Sequence, residues 1–226
     1  EETWSNICAG KTGIAPVTAF DEPERFGSTV GCQVRDFDGT AWCASPKTEN
    51  ANDRYTHLAM AAARQAYEDA KLNIGENADP DRVGVMIGSA FGGIGTGESE
   101  YERMQKRGPR RVSPFAIPAL LGNTASGVVG IELNCRGPNF GVGSACASGT
   151  HAIGEAMLAI QRGDADIIIC GGSEAAMTDQ RLVPCSSTRE RTIASSSAVH
   201  GRDRGSSFLP PSAMATAPSS VKTSTG

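Results

Sequence analysis

One segment of the chain is suited to covalent chemistry: Gly143-Ser144-Ala145-Cys146-Ala147-Ser148-Gly149. It follows a short apolar run and precedes a helical pattern. A cysteine there stands at the positive end of a helix, where unpaired N–H groups and the macrodipole favour a thiolate. Small residues on both sides leave the sulfur open to a substrate. The turn is similar to a nucleophile elbow with Cys in place of Ser. Cys146 is therefore read as a nucleophile, against the alternative of a structural thiol. Cys8, Cys32, Cys43, Cys135, Cys170 and Cys185 have no such setting and are read as structural. With Cys146 the cysteines number seven, and this odd total and the lack of a CxxC pair argue against a disulfide framework or a zinc site, and point to a reducing compartment.

Two further features invite chemistry. Arg103, Lys106, Arg107, Arg110 and Arg111 form a basic cluster in a chain of net charge −4. It suits an anionic partner, or it is simply a solvated face. The overall acidity argues against nucleic acid. The loop Gly92-Gly93-Ile94-Gly95-Thr96-Gly97 follows a strand, but it lacks the dinucleotide spacing and a phosphate-binding lysine. It is read as a structural turn, and no metal or cofactor is expected.

The elements that position Cys146 are legible in the pattern. The spacing predicts helices near Trp4–Cys8, Asp53–Leu72, Glu98–Lys106, Ala116–Leu133 and Ala147–Arg162. It predicts strands at Val83–Ile87, Asn139–Val142 and Ala165–Cys170. Gly10, Gly75 and Gly163 act as stop signals. This alternation predicts an α/β fold with a mainly parallel sheet. No run of 18 apolar residues exists, so no membrane span is expected. Composition changes after Thr178. The last 48 residues hold 11 Ser and 5 Thr and carry net +3, leaving −7 on residues 1–178. They show no helical or strand period, so residues 179–226 are expected to be a disordered or aberrant tail.

Gly143–Gly154 (GSACASGTHAIG) resembles the active-site segment of elongating type II β-ketoacyl-[acyl-carrier-protein] synthases. Arg110–Pro118 (RRVSPFAIP), Gly88–Gly93 (GSAFGG), Asn123–Gly127 (NTASG), Gly137–Asn139 (GPN) and Gly171–Glu174 (GGSE) are similar to other stretches of that family, in its order. The resemblance covers residues 1–178 and implies the first half of a duplicated, thiolase-like layered fold. It implies that Cys146 accepts an acyl group from acyl carrier protein and that its backbone N–H helps to hold the oxyanion. Decarboxylated malonyl on a second carrier then attacks that thioester. It implies that Phe115 and Ile117 contact the acyl chain, and that Arg110 and Arg111, with Lys106 and Arg107, dock the acidic carrier. It implies a homodimer at full length, in bacterial cytoplasm or plastid stroma. The family's catalytic histidines and lysine come from its second half. His57, His151 and His200 lie in none of their contexts. The chain is thus expected to be truncated, with a tail that a frameshift would explain. A polyketide ketosynthase, or a silent fragment that binds the carrier or a full-length partner, is the alternative.

Overall fold

The computed structural model describes residues 2–19, 24, 28–178, 195–200 and 214–216. The helices are α1 Glu2–Cys8, α2 Pro46–Asn50, α3 Arg54–Asp69, α4 Ile94–Arg107, α5 Ala116–Leu120, α6 Thr124–Glu132 and α7 Ser148–Arg162. Strands β1 Ala15–Pro16 and β2 Val30–Gly31 form a small antiparallel pair. The main sheet holds β3 Val83–Gly88, β4 Asn139–Val142, β5 Ile167–Gly172, β6 Ser195–His200 and β7 Met214–Thr216. Its order is β4-β3-β5-β6-β7. The first three strands are parallel, with Val85 opposite both Asn139 and Ile169.

The central strands are apolar on both faces because helices cover both. Side chains alternate across a strand, and the two faces separate accordingly. Val83, Val85 and Ile87 of β3, with Ile167 and Ile169 of β5, join Tyr55, Leu58 and Met60 of α3 and Val129 of α6. Met86, Ile168 and Cys170 point the other way, onto Ala156 and Ala159 of α7. The alanines along α7 are what let that helix lie close to the sheet.

Most expected elements are present, with differences that have local causes. The helix expected over Ala116–Leu133 is two helices, α5 and α6. The carbonyls that would continue α5 are held elsewhere: Leu120 accepts from the Gly93 N–H (3.1 Å), and Leu121 accepts from the Tyr55 hydroxyl. Leu121 is extended and Gly122 follows, so the helix restarts at Thr124. Helix α4 begins at Ile94, inside the stretch expected to be a turn. Its N-terminus lacks a cap of its own, and Asp53 supplies one from another element. Asp53 Oδ2 accepts from the Thr96 N–H (2.8 Å) and hydroxyl (2.7 Å), while Oδ1 caps α3 through the Tyr55 N–H (3.1 Å). One buried carboxylate thus starts two helices.

Residues 179–226, the stretch expected to be a disordered or aberrant tail, hold two of the strands, β6 and β7. The sequence there has no strand alternation, yet β6 pairs antiparallel with β5 along six positions and β7 pairs with β6. Main-chain groups make a ladder whatever the side chains, and β5 would otherwise present an open edge. The rest of residues 179–226 lies outside the described residues, as does Cys185. Among the described residues, no helix is long and apolar enough to cross a membrane.

Candidate active site

Cys146 lies in a single 3-10 turn, Ala145–Ala147, between the C-terminal end of β4 and the first turn of α7. Its side chain is exposed. Ala145, immediately before it, has φ +50°, a left-handed conformation that only a constrained turn imposes on a residue with a Cβ. Ser148 holds that turn. Its hydroxyl donates to the Ala145 carbonyl (2.7 Å) and accepts from the Ser144 N–H (2.9 Å). The Ala147 N–H donates to the Ser144 carbonyl (3.1 Å).

Three glycines set where the turn sits. A Cβ on Gly88 would lie 2.3 Å from the Ser148 carbonyl oxygen, and one on Gly172 would lie 2.8 Å from the Gly149 Cα. A Cβ on Gly149 would lie 3.2 Å from the Gly172 Cα. The start of α7 therefore rests directly on the ends of β3 and β5. That contact aims the amide end of α7 at the cysteine and leaves the sulfur outward, beyond the carboxyl ends of the parallel strands. Ligands of open α/β sheets bind at that end.

The other motifs close the same end of the sheet. Glu174 Oε2 accepts from the Ala90 N–H (2.8 Å), the Phe91 N–H (3.2 Å) and the Ser89 hydroxyl (3.3 Å). Burial pushes the Glu174 carboxyl above its usual range, and these donors partly offset that. Ser173 donates its hydroxyl to the Tyr55 carbonyl (2.6 Å) and its N–H to Gly88 (3.0 Å). Ser126 donates to the Phe140 carbonyl (3.0 Å) and accepts from the Ile87 N–H (2.9 Å). The GSAFGG, NTASG and GGSE stretches thus stitch the loops after β3 and β5, and α6, around the strands that carry the cysteine turn.

The remaining expected site residues stand as follows. Phe115 caps the start of α5 and Ile117 lies within it, 45% and 64% exposed. Lys106 and Arg107 end α4, where cations suit the helix dipole. Arg110 and Arg111 follow in an exposed 3-10 turn. Lys106 pairs with Glu102, and Arg103 pairs with Glu100 at 2.7 Å. Among the described residues no ion pair is recorded for Arg107, Arg110 or Arg111. The Cys135 and Cys170 thiols are buried, which pushes each up to about 12. Burial also raises Cys43, with Glu132 and Glu49 adding to it and Arg64 opposing. His57 bonds the Glu49 carbonyl (3.0 Å). Sequence reasoning gave Ser144 and Ser148 no role beyond their small size and set His151 aside as non-catalytic; the signal of their joint role is the polar spacing 144, 148, 151 across the start of a helix.

Comparison with known proteins gives a consistent picture. Residues 1–205 match the model of the beta-ketoacyl synthase N-terminal domain. The match runs past Thr178, where the composition changes. The chain is 41% identical over 187 residues to 3-oxoacyl-[acyl-carrier-protein] synthase 2 of Staphylococcus aureus, covering 83% of this chain and 46% of that protein. It is 38% identical over 200 residues to the Synechocystis protein of the same name, covering 88% and 47%. The chain thus spans about half the length of the curated relatives it matches. Among solved structures, an ishigamide ketosynthase/chain length factor aligns with TM-score 0.66 at 29% identity, over 74% of this chain and 41% of that one. A type II polyketide ketosynthase in complex with its acyl-carrier protein aligns with TM-score 0.60 at 25% identity, over 64% and 41%. The chain belongs to the beta-ketoacyl synthase family, whose members are acyltransferases, and it corresponds to the N-terminal portion of those enzymes.

Proposed function

We propose that the protein is a 3-oxoacyl-[acyl-carrier-protein] synthase of fatty acid synthesis and that Cys146 is its acyl acceptor. The observation that carries this is the exposed Cys146 on a strained turn at the N-terminus of α7, within a segment that matches the family. The thiolate attacks the carbonyl carbon of an acyl-carrier thioester. A C–S bond forms to Cys146, and the carrier thiolate leaves. The Cys146 N–H holds the oxyanion of the tetrahedral intermediate. Malonyl on a second carrier loses carbon dioxide, and its enolate carbon displaces Cys146 from the acyl group. Phe115 and Ile117, exposed apolar side chains near the Ser113-Pro114 loop, suit contact with the acyl chain. A reducing setting, bacterial cytoplasm or plastid stroma, keeps the thiol free. The homodimer has support in the edge strand β4, where Phe140 is exposed, and in Ile131, which is 82% exposed. A polyketide ketosynthase reading has the carrier-bound structural neighbour in its favour, whereas identity is higher to the 3-oxoacyl synthases.

Incubation of the 226-residue chain with acyl- and malonyl-carrier protein tests the reading. The chain should gain an acyl group and release no 3-oxoacyl product, because decarboxylation in this family draws on residues of the second half. Release of 3-oxoacyl product by this chain would show that its own residues suffice, contrary to this account. Failure to gain an acyl group would favour a silent carrier-binding fragment.

Arg110, Arg111, Arg107 and Lys106 are proposed to dock the acidic carrier. A local positive patch can steer an anionic partner onto a body of opposite net charge. The double variant R110E/R111E should slow acyl transfer from the carrier at least about tenfold at low ionic strength. The difference should shrink with salt, as screening weakens the attraction. Transfer from a small acyl thioester should be unchanged. Equal slowing with both donors would place these arginines in the fold rather than in docking.

A further inference from the structure

We infer that His151 is a positioning residue for the cysteine turn, acting through Ser144. The inference rests on the reading of Cys146 as acyl acceptor. His151 lies one turn into α7, and its Nδ1 shares a 2.7 Å hydrogen bond with the Ser144 hydroxyl. Helical side chains lean toward the N-terminus of their helix, so a residue at 151 reaches back over the turn that precedes the helix.

The bond closes a set. Ser144 is held by its N–H on Ser148 in α7, by its carbonyl on Ala147 in the 3-10 turn and by its side chain on His151 in α7. The first two fix its backbone from within the same turn. The third comes from farther along the helix and fixes the direction of the whole residue. Ala145 then has to bridge from an anchored Ser144 to an anchored Ser148, with φ +50°. A left-handed alanine relaxes toward the ordinary helical or extended regions when its flanks loosen. Such relaxation turns the following peptide and moves the Cys146 N–H off an acyl oxygen. His151 is exposed, and Ala152 and Ala156 supply the buried face of α7 instead, so burial gives no reason for an imidazole at 151. The ring serves as donor or acceptor according to its tautomer, and the clamp works either way.

The consequence separates two reactions of one thiol. Acyl transfer needs the N–H in register with the carbonyl oxygen, whereas alkylation by iodoacetamide needs only the thiolate. The test compares both rates at Cys146, by peptide mass mapping, in the 226-residue chain and in H151A, H151N, S144A and S144A/H151A. The acyl donor is a small thioester, which removes carrier docking from the comparison. H151A and S144A should each slow acylation about fivefold, the factor carried by one ordinary hydrogen bond. Alkylation should stay within about twofold and keep its pH midpoint, since neither change removes a charge partner of the thiolate in this account. The double variant should be no slower than either single one, because both remove the same bond. H151N should recover most of the rate, as an amide can reach the hydroxyl. S144A opens the bond from the other side, so the comparison survives if H151A folds poorly. Unchanged acylation in H151A, multiplying losses in the double variant, or a shifted alkylation midpoint would each overturn the inference. Absence of acylation at Cys146 in the unaltered chain defeats the nucleophile reading first, and the inference with it.

Discussion

Replacement of Cys146 by Ala should lower acyl-adduct formation by at least about three orders of magnitude, as loss of a catalytic nucleophile does elsewhere. The fold should survive. Cys146 is exposed and fills no core space, so circular dichroism and the melting temperature should match those of the parent chain. Intact-protein mass spectrometry after incubation with an acyl donor reads the effect. The other thiols make the comparison sharp. Cys135 and Cys170, pushed up to about 12 by burial, stay protonated and covered at neutral pH. Cys8 is exposed like Cys146 but lies in α1, outside the turn between β4 and α7, and it serves as an internal control for simple exposure. If C146A keeps its adduct, the acyl group sits on another thiol and the account of the site is wrong.

The second large effect is structural, and it concerns a single methyl group. Gly88→Ala places a Cβ 2.3 Å from the Ser148 carbonyl oxygen and 2.8 Å from the Gly149 nitrogen. Both are backbone atoms, so relief requires α7 to lift off the sheet. The helix is held there by Ala156 and Ala159 against Met86 and Ile168, and lifting it opens that layer. Destabilisation of about 3 kcal/mol follows, at the upper end for overpacking, with a fall in melting temperature of roughly 6–12 °C for a chain of this size. Gly154→Ala is the matched control. It lies within α7 and a Cβ there meets nothing within 4 Å. It should raise stability by roughly 0.5–1 kcal/mol, because alanine loses less backbone entropy than glycine in a helix. Thermal denaturation of both variants gives the contrast. Equal melting temperatures would mean that α7 does not rest on β3 as described.

The contrast shows which parts of the molecule a sequence discloses. The strands Val83–Gly88 and Ile167–Gly172 are dense apolar runs, and burial on both faces leaves no other reading for them. The stop at Gly163 is equally local, since its φ of +80° suits glycine. Cys146 is legible because its neighbours are small and a helix pattern follows at once. What escapes is whatever depends on distant partners. The split between α5 and α6 turns on Tyr55 and Gly93, far away in sequence, which take the carbonyls of Leu121 and Leu120. The early start of α4 turns on the Asp53 carboxylate. Strand β6 carries no alternation, and only the open edge of β5 explains it. The glycines at 88, 149 and 172 carry no packing signal in sequence, although their work is close packing at the site. The clamp of Ser144, Ser148 and His151 was in view as residue types, but its geometry needed the left-handed Ala145 between them.

The central claim is that Cys146, and no other thiol, takes the acyl group. Its most direct test is peptide mapping of the 226-residue chain after incubation with acyl-carrier protein. The account predicts one acyl group per chain, on the peptide containing Cys146, and labile to hydroxylamine as a thioester is. An adduct on Cys8, Cys32 or Cys43, or no thioester at all, would contradict it.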